Sequence, residues 1–380
     1  MGDSMPTPGD TATTEPTPPA QDAPLQEWTA YLLDLQAPAC RILGSELYAH
    51  LLDHAADDVR ASGPTWAVLE PHATRDTGAA LALRFMAAIH RVVLERRAPQ
   101  LATYFPSVGG NADLDGAWPV LRTVLVEQAD RLRELTARPC QTNEVGRCAA
   151  LVGGFLVAAR ESGLPLRLLE IGASGGLNLR WDRYHYADVD RTRTWGDPDS
   201  PVQLVGHWEV PADLTAQQVT VASRAGCDPW PIDPRSQEGR LSLTAAVWGD
   251  QPQRFARLAG ALQVATDLAV EVRQAPAIQW LPEQLARAAS GTATVVYHSV
   301  VMQYMDPQER DDMVALLRRA GQAGTPDAPL YWLRMEPERP LRAMAVRLTT
   351  WPGGEERLVA TAGAHGHPLR WRAETVVHRT

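Results

Sequence analysis

The part of the chain that most restricts its fold is residues 166–179, which read LRLLEIGASGGLNL. The apolar first half has the length of a buried strand and ends in Glu170, and a glycine-rich turn and a potential helix start follow. A strand, a glycine-rich turn and a helix in this order place backbone N–H groups at the carboxyl edge of a sheet. The stretch therefore predicts an α/β fold that binds a nucleotide-like ligand at that edge.

The same residues match two short motifs with different chemistry. Glu170-x-Gly172-x-Ser174-x-Gly176 resembles the first motif of S-adenosylmethionine-dependent methyltransferases. Gly172-x-Ser174-x-Gly176 also spells the nucleophile elbow of a serine hydrolase. In that alternative Ser174 is the nucleophile, and its partners are either Asp306 or Asp233 together with His365.

The order of the predicted elements favours the methyltransferase. Helical patterns fill most of residues 25–138, and every other predicted strand follows the turn, so Ser174 would end the first strand of its sheet. A nucleophile elbow normally lies deeper in its sheet, and Glu170 has no role there. A dinucleotide site is disfavoured because Ser174 replaces the middle glycine of G-x-G-x-x-G. A non-catalytic protein that binds a nucleoside-like ligand or a protein partner remains the third hypothesis.

Composition excludes several other functions. All 36 basic residues are arginine, so the chain has no Walker-A lysine, no Schiff-base lysine and no Ser-Lys dyad. The net charge of −9 gives no general electrostatic reason to bind nucleic acid or an anionic membrane. Cysteine and histidine show no metal-ligand spacing, so we expect no metal. Without a signal-peptide pattern, the four cysteines indicate a reduced, cytoplasmic protein.

Three segments are predicted. Residues 1–24 are expected to be a disordered tail, 25–140 an α-helical subdomain and 141–380 a Rossmann-like domain. The last is expected to hold a doubly wound, mostly parallel sheet that ends in an antiparallel hairpin. Its predicted strands are 166–171, 219–222, 270–272, 292–299 and 330–336, with hairpin strands 345–351 and 357–362. A helix is predicted over 241–264, and 181–210 is predicted to be an excursion from the regular pattern.

Longer strings of residues resemble those of one bacterial family. They are TNEVGR at 142–147, LEIGASGGLNLRWDRY at 169–184, WGDP at 195–198, GCD at 226–228, HSVVMQY at 298–304, MEP at 335–337 and HG at 365–366. By these strings the chain is identified as a member of the uncharacterised family catalogued as domain of unknown function 2332. The resemblance covers about residues 25–375 and implies a class I methyltransferase-like Rossmann fold without an established activity. Two residues depart from the expected strings: Gly175, in place of alanine, and Gly249, in place of proline.

The predicted cofactor is S-adenosylmethionine. The residues expected to bind it lie in the turn and at the ends of neighbouring strands: Glu170, Gly172, Ala173, Ser174, Gly176, Asn178, Asp228 and Ser299. Two acids follow the second predicted strand, and we expect Asp228 rather than Asp233 to contact the ribose.

The predicted partner is a small-molecule methyl acceptor. His298 is the candidate general base, and Tyr304 is the second candidate catalytic residue. Six residues are expected to bind a polar or anionic substrate: Asn143, Glu144, Arg147, Arg180, Asp182 and Glu336. A structural role stays open for each of them, such as an ion pair for Arg147 and a hydrogen-bonded strand end for His298.

Overall fold

The computed structural model of the chain describes residues 16–111, 113–139, 141–287, 289–338, 343–372 and 376–377. The chain divides into two compact units. The first contains residues 1–140 and Trp248–Gln251, and the second contains Gln141–Val247 and Pro252–Thr380. Residues 1–15 of the predicted disordered tail lie outside the described residues, and residues 16–24 form neither helix nor strand. Cys140 also lies outside them, and the other three cysteines are buried and free of disulfides.

The first unit is built from helices. They are α1 (Leu25–Ile42), α2 (Glu46–Arg60), α3 (Pro64–Leu69), α4 (Leu81–Leu94), α5 (Pro99–Ala102), α6 (Leu114–Glu127) and α7 (Ala129–Thr136). Among the described residues, Thr77–Leu94 is long and apolar enough to cross a membrane by length and composition alone. Phe85 and Ile89 of this stretch are fully buried in the core of the unit, and core helices of soluble proteins commonly meet the same criterion.

The segment Trp248–Gln251 joins the first unit through several contacts, among them those of the Trp248 and Asp250 side chains. The Trp248 ring packs 6.0 Å from the ring of Tyr48. Asp250 accepts hydrogen bonds from the Ser45 hydroxyl (2.6 Å) and from the Leu47 backbone N–H (3.1 Å), and so caps the start of α2. This segment interrupts the helix that the sequence pattern predicts over 241–264, a prediction that is therefore wrong. Pro252 begins a new helix there because proline suits the first turn of a helix and not its interior.

The second unit alternates strands and helices. Its helices are α8 (Cys148–Ser162), α9 (Ala212–Thr215), α10 (Gln237–Ala245), α11 (Pro252–Asp267), α12 (Ala277–Leu285) and α13 (Pro307–Gln322). Its strands are β1 (Leu166–Ile171), β2 (His185–Asp188), β3 (Thr194–Gly196), β4 (Gln203–Gly206), β5 (Val221–Asp228), β6 (Glu271–Gln274), β7 (Ala293–Ser299), β8 (Leu330–Glu338), β9 (Ala343–Trp351), β10 (Glu355–Ala362), β11 (Leu369–Trp371) and β12 (Val376–Val377).

The main sheet has the order β11-β10-β9-β8-β7-β1-β5-β6, with β12 paired to β10. Strands β6, β5, β1, β7 and β8 are parallel, and the α/β class is confirmed. The antiparallel part is larger than the predicted hairpin, because β9 also pairs with β8, and β11 and β12 both pair with β10. The predicted excursion forms a separate sheet of order β3-β2-β4.

Both faces of the main sheet are covered by helices. Leu166 and Leu168 of β1 share one core with the buried face of α8, whereas Leu169 and Ile171 share another with α12 and α13. The chain passes from β1 to β5 and β6 on one side and then returns to β7 on the other side. The loops that follow β1, β5 and β7 therefore meet at the carboxyl edge of the sheet, where open α/β sheets bind ligands.

Candidate functional site

The turn after β1 has an unusual backbone. Gly172, Ser174 and Gly176 have φ values of 66°, 51° and 65°. A Cβ atom on Gly172 would lie 2.6 Å from a methyl group of Val301, so glycine is required there and the loops after β1 and β7 touch. The loop after β7 also contains a left-handed residue, Val300, at φ 58°. Such a conformation is strained for a β-branched side chain, and strained residues concentrate at ligand sites.

The backbone N–H groups of residues 173–177 all have acceptors inside the protein. Ala173 donates to the Cys227 carbonyl, Ser174 to Asp228, and Gly176 to the Ala173 carbonyl. Asn143 Oδ1 accepts from both Gly175 (3.1 Å) and Leu177 (3.0 Å). The turn is therefore rigid and has no N–H group in this run left over for a phosphate.

Asp228, at the end of β5, fastens this turn to the next loop. Its Oδ2 accepts from the Ser174 N–H at 2.9 Å, and its Oδ1 accepts from the Trp230 N–H (2.8 Å) and from Gln141 Nε2 (3.1 Å). A carboxylate offers roughly four acceptor positions, so about one remains on Oδ2. Asp233, the alternative acid, has an exposed side chain that binds the Arg235 N–H instead.

Glu170 lies beneath the turn rather than on its surface. Its side chain is 3% exposed and accepts a hydrogen bond from the Tyr297 hydroxyl at 3.3 Å. Burial raises the pKa of Glu170 well above its usual value, and this outweighs the opposing effect of the Tyr297 hydrogen bond. The strand alternation that puts Leu168 into the α8 core puts Glu170 on the same face. Glu170 is thus placed to support the turn from below.

His298 has both ring nitrogens engaged. Its ring is completely buried, its Nδ1 lies 2.6 Å from Glu336 Oε1, and its Nε2 accepts a hydrogen bond from Trp332 Nε1 at 3.0 Å. The indole N–H can only donate, so Nδ1 carries the proton and donates it to Glu336. This arrangement does not present His298 to a substrate as a general base. The reason is that Val296 packs in the core with α12 and α13, and strand alternation puts His298 on the same buried face of β7.

Glu336, at the end of β8, organises the loop after β7. Besides His298, its Oε1 accepts from the Val301 N–H at 3.0 Å, while Oε2 is buried without a hydrogen-bond partner among the described residues. Tyr304 lies on the short 3-10 turn Met302–Tyr304 in the same loop, and its side chain is 51% exposed. Of the two predicted catalytic residues, Tyr304 is the one that a substrate can reach.

Asn178, Glu144 and Arg147 connect the turn to other parts of the unit. Asn178 is buried, donates to the Glu144 carbonyl (3.3 Å) and accepts from the Cys148 thiol (3.3 Å). Arg147 donates to the carbonyl oxygens of Ser299 and Ala364, both at 3.2 Å. Glu144 forms a buried ion pair with Arg254, with Nε 2.6 Å from Oε2. Burial alone would raise the pKa of Glu144, but the charges of Arg254, His365 and Arg147 lower it to about 2.

Two predicted substrate residues serve the fold elsewhere. Arg180 is buried and donates to the carbonyl oxygens of Gly176 (2.6 Å) and Leu268 (2.8 Å). Asp182 forms a two-pronged ion pair with Arg224 at 2.6 and 3.0 Å. This pair lines an open, polar cavity of about 650 Å³ that Trp195 and the start of β5 also border. Asp182 therefore lies away from the carboxyl edge that holds the glycine-rich turn.

Trp230 is a residue that the sequence analysis missed. Its side chain is 58% exposed, and its own N–H is bound by Asp228. The following loop returns to the turn, because the Ile232 N–H donates to the Ser174 carbonyl at 3.2 Å. The sequence signal that could have identified Trp230 is its position, two residues after an acid at the end of a strand. An indole this exposed offers a flat surface beside the turn for an apolar or aromatic ligand group.

Comparison with known proteins supports membership of a family without an assigned activity. Within the described residues, no group of three or more His, Cys, Asp or Glu side chains is arranged to hold a metal ion. No curated protein and no solved structure matches the chain. One family model matches residues 30–371, and it describes an uncharacterized protein conserved in bacteria. The chain therefore belongs to this bacterial family, domain of unknown function 2332.

Proposed function

We propose that this protein is an S-adenosylmethionine-dependent methyltransferase with a Rossmann-like fold, whose cofactor lies across the carboxyl ends of β1 and β5. The observation that carries the proposal is the turn after β1, at the point where the strand order reverses. Its N–H groups are all satisfied within the protein, and Asp228 fastens it to the end of the neighbouring strand. That position suits a nucleoside ligand, and the saturated N–H groups favour one without phosphates.

The residues present fit the parts of such a cofactor. The remaining acceptor position of Asp228 suits a ribose hydroxyl, and the exposed indole of Trp230 suits an adenine ring. When bound, S-adenosylmethionine would supply an electrophilic methyl group. The protein's own contribution would then be to orient the acceptor and to exclude water. We expect the exposed Tyr304 to contact the acceptor, and His298 and Glu336 to position the loop that carries Tyr304.

The first test is titration calorimetry of the full chain with S-adenosylmethionine and S-adenosylhomocysteine. Trp230→Ala is expected to weaken both by about 1–3 kcal/mol, or roughly 5- to 150-fold in Kd, because stacking of a base on an aromatic ring is lost. The free energy of unfolding of this variant should stay within about 0.5 kcal/mol of that of the unaltered protein, since the Trp230 side chain is exposed. Gly172 is a poorer position to substitute in this test, because any added Cβ atom would clash with the Val301 side chain.

Trp230→Phe is the matched control, because it keeps an aromatic surface and should retain most of the affinity. If the unaltered protein gave no heat of binding with either ligand, the proposed methyltransferase function would be refuted. If Trp230→Ala bound the ligands as tightly as the unaltered protein does, Trp230 would not belong to the site. The rest of the proposal would be unaffected.

The hydrolase alternative loses support from the surroundings of Ser174. Its Oγ is buried and has no hydrogen-bond partner among the described residues. Asp306 caps α13 and Asp233 binds the Arg235 N–H, so neither completes a triad with it. A serine nucleophile needs a base within hydrogen-bond reach of its hydroxyl.

We therefore expect Ser174→Ala to leave the folded state at least as stable, with a gain of up to about 1 kcal/mol, because a buried unpaired hydroxyl is removed. Chemical denaturation measures this change. A fluorophosphonate probe should leave Ser174 unlabelled in the unaltered protein. Labelling of Ser174 by the probe would contradict this expectation and support the serine-hydrolase alternative.

A further inference from the structure

The open, polar cavity of about 650 Å³ in the second unit lies at the opposite end of β5 from the glycine-rich turn. Val221, at the start of β5, lines this cavity, whereas Asp228, at the end of the same strand, holds the turn. An eight-residue strand rises roughly 23 Å between its ends, so the cavity is separate from the proposed cofactor site. We call it the Trp195 cavity, after the aromatic residue that borders it.

The charges that line the Trp195 cavity balance each other. Asp182 and Arg224 pair through both of their ends, at 2.6 and 3.0 Å, and their side chains are only 13% and 11% exposed. Arg224 also donates to the Leu179 carbonyl at 2.8 Å, and Arg183 Nε lies 3.5 Å from Asp182 Oδ2. With Asp197, the described lining residues hold two carboxylates and two guanidinium groups. Phosphates and carboxylates are bound by guanidinium groups that lack a partner, so this lining favours a ligand without net charge.

Trp195 presents an aromatic surface that is fixed from behind. Its ring stacks on the fully buried ring of Trp181, with centroids 5.3 Å apart and planes 27° apart. Its Nε1 donates to the Gln217 carbonyl at 3.0 Å, so the polar edge of the indole is already satisfied. Because Trp181 covers one face of this half-buried ring, the part that borders the cavity belongs to its other face and its edge. Such a surface suits the apolar C–H groups of a ligand.

Groups that can bind hydroxyls lie around the same cavity. Asp197 is exposed, and its Oδ1 accepts from the Asp199 N–H at 2.9 Å, which leaves acceptor positions of the carboxylate for a ligand. Thr194 and Gln218 are also exposed, and they add a hydroxyl and an amide to the lining. A hydroxyl and an amide both donate and accept hydrogen bonds, and they match a ligand whose own polar groups do the same.

An uncharged ligand with an apolar C–H face and a rim of hydroxyl groups fits this combination, and saccharides have that chemistry. The cavity volume falls within the range of about 300–1,000 Å³ for small-molecule sites. We propose that the Trp195 cavity binds a neutral saccharide, which packs a C–H face on Trp195 and places its hydroxyl groups against Asp197, Thr194 and Gln218. This binding does not depend on methyl transfer, so it can be tested without S-adenosylmethionine and can fail separately from the proposed function.

The test is saturation-transfer difference NMR of the full chain with glucose, galactose, mannose, N-acetylglucosamine, maltose and cellobiose. At least one of these neutral sugars should bind, with the strongest transfer to its ring C–H protons, and the charged analogues glucuronate and glucosamine should bind more weakly. Thr194→Trp should abolish the signal, because an indole at this exposed lining position fills part of the cavity. Val189→Trp, at an exposed position between β2 and β3 and outside the lining, is the matched control and should bind like the unaltered protein.

A second pair of variants tests the aromatic contact itself. Trp195→Ala should weaken the Kd of the bound sugar by about tenfold, because the packing of its C–H face is lost, whereas Trp195→Phe should lose less. Trp195 also packs on Trp181, so Tm is measured for both variants, and Thr194→Trp carries the test if Trp195→Ala does not fold. Failure of every neutral sugar to bind, undiminished binding by Thr194→Trp, or binding of the charged analogues alone would overturn the proposal.

Discussion

Asp228→Ala is expected to destabilise the second unit by about 2–5 kcal/mol and to abolish binding of S-adenosylmethionine. The alanine leaves the buried Ser174 N–H and the Trp230 N–H without acceptors, and each such loss costs about 1–3 kcal/mol. It also detaches the turn after β1 from the end of β5. Chemical denaturation measures the stability change, and titration calorimetry on the folded fraction measures the binding.

Two variants make this result specific. Asp228→Asn keeps the shape and one acceptor oxygen, so it should lose less stability and fold well enough for binding to be measured. Asp233→Ala removes an exposed acid five residues away and should change stability by about 0.5 kcal/mol or less. If Asp233→Ala abolished binding while Asp228→Asn bound normally, the ribose contact would belong to Asp233.

Glu144→Gln is expected to cost about 3–5 kcal/mol of stability, because it leaves Arg254 buried without its counter-charge. Both partners are at least nine-tenths buried, so solvent screens this pair little. The exposed pair of Arg160 and Asp213 is the comparison, and Asp213→Asn should cost less than about 1 kcal/mol. Equal costs for the two substitutions would contradict the assignment of a strong buried ion pair.

The same carboxylate predicts a pH dependence. The pKa of Glu144 is about 2 in the folded protein against an ordinary value of 4.5, so the unfolded chain takes up its proton first as the pH falls. The stability from this group is therefore fully present above pH 4.5 and is lost between pH 4.5 and 2, by about 3 kcal/mol in total. In Glu144→Gln, unfolding free energies measured from pH 5 downward should show a correspondingly shallower decline.

The central strands of the main sheet were predictable because their signals are local. The runs at 166–171, 292–299 and 330–336 are apolar enough to be buried on both faces, and each is a strand of the parallel part of the sheet. The glycine-rich turn was predictable for the same reason. The β8–β9 pairing was not predicted, because strand order depends on contacts between segments and not on the pattern of either one.

The roles of the site residues depended on partners far away in sequence. His298 reads as a candidate base until Trp332 and Glu336 are seen on either side of its ring. Glu144 reads as a candidate substrate residue until its buried ion pair with Arg254, 110 residues away, is seen. Sequence spacing identifies which groups reach the carboxyl edge, whereas burial and pairing decide which of them a ligand can use.

The segment Asn143–Arg147 joins the turn after β1 to α11 and to the end of β7. Asn143 holds the turn after β1, and Glu144 and Arg147 of the same segment are bound to Arg254 and to the end of β7. A ligand that binds the turn and displaces this segment would therefore also disturb the buried ion pair of Glu144 and Arg254. By thermodynamic linkage the effect is reciprocal, so the factor by which protonation of Glu144 changes ligand affinity equals the factor by which the ligand changes the proton affinity of Glu144.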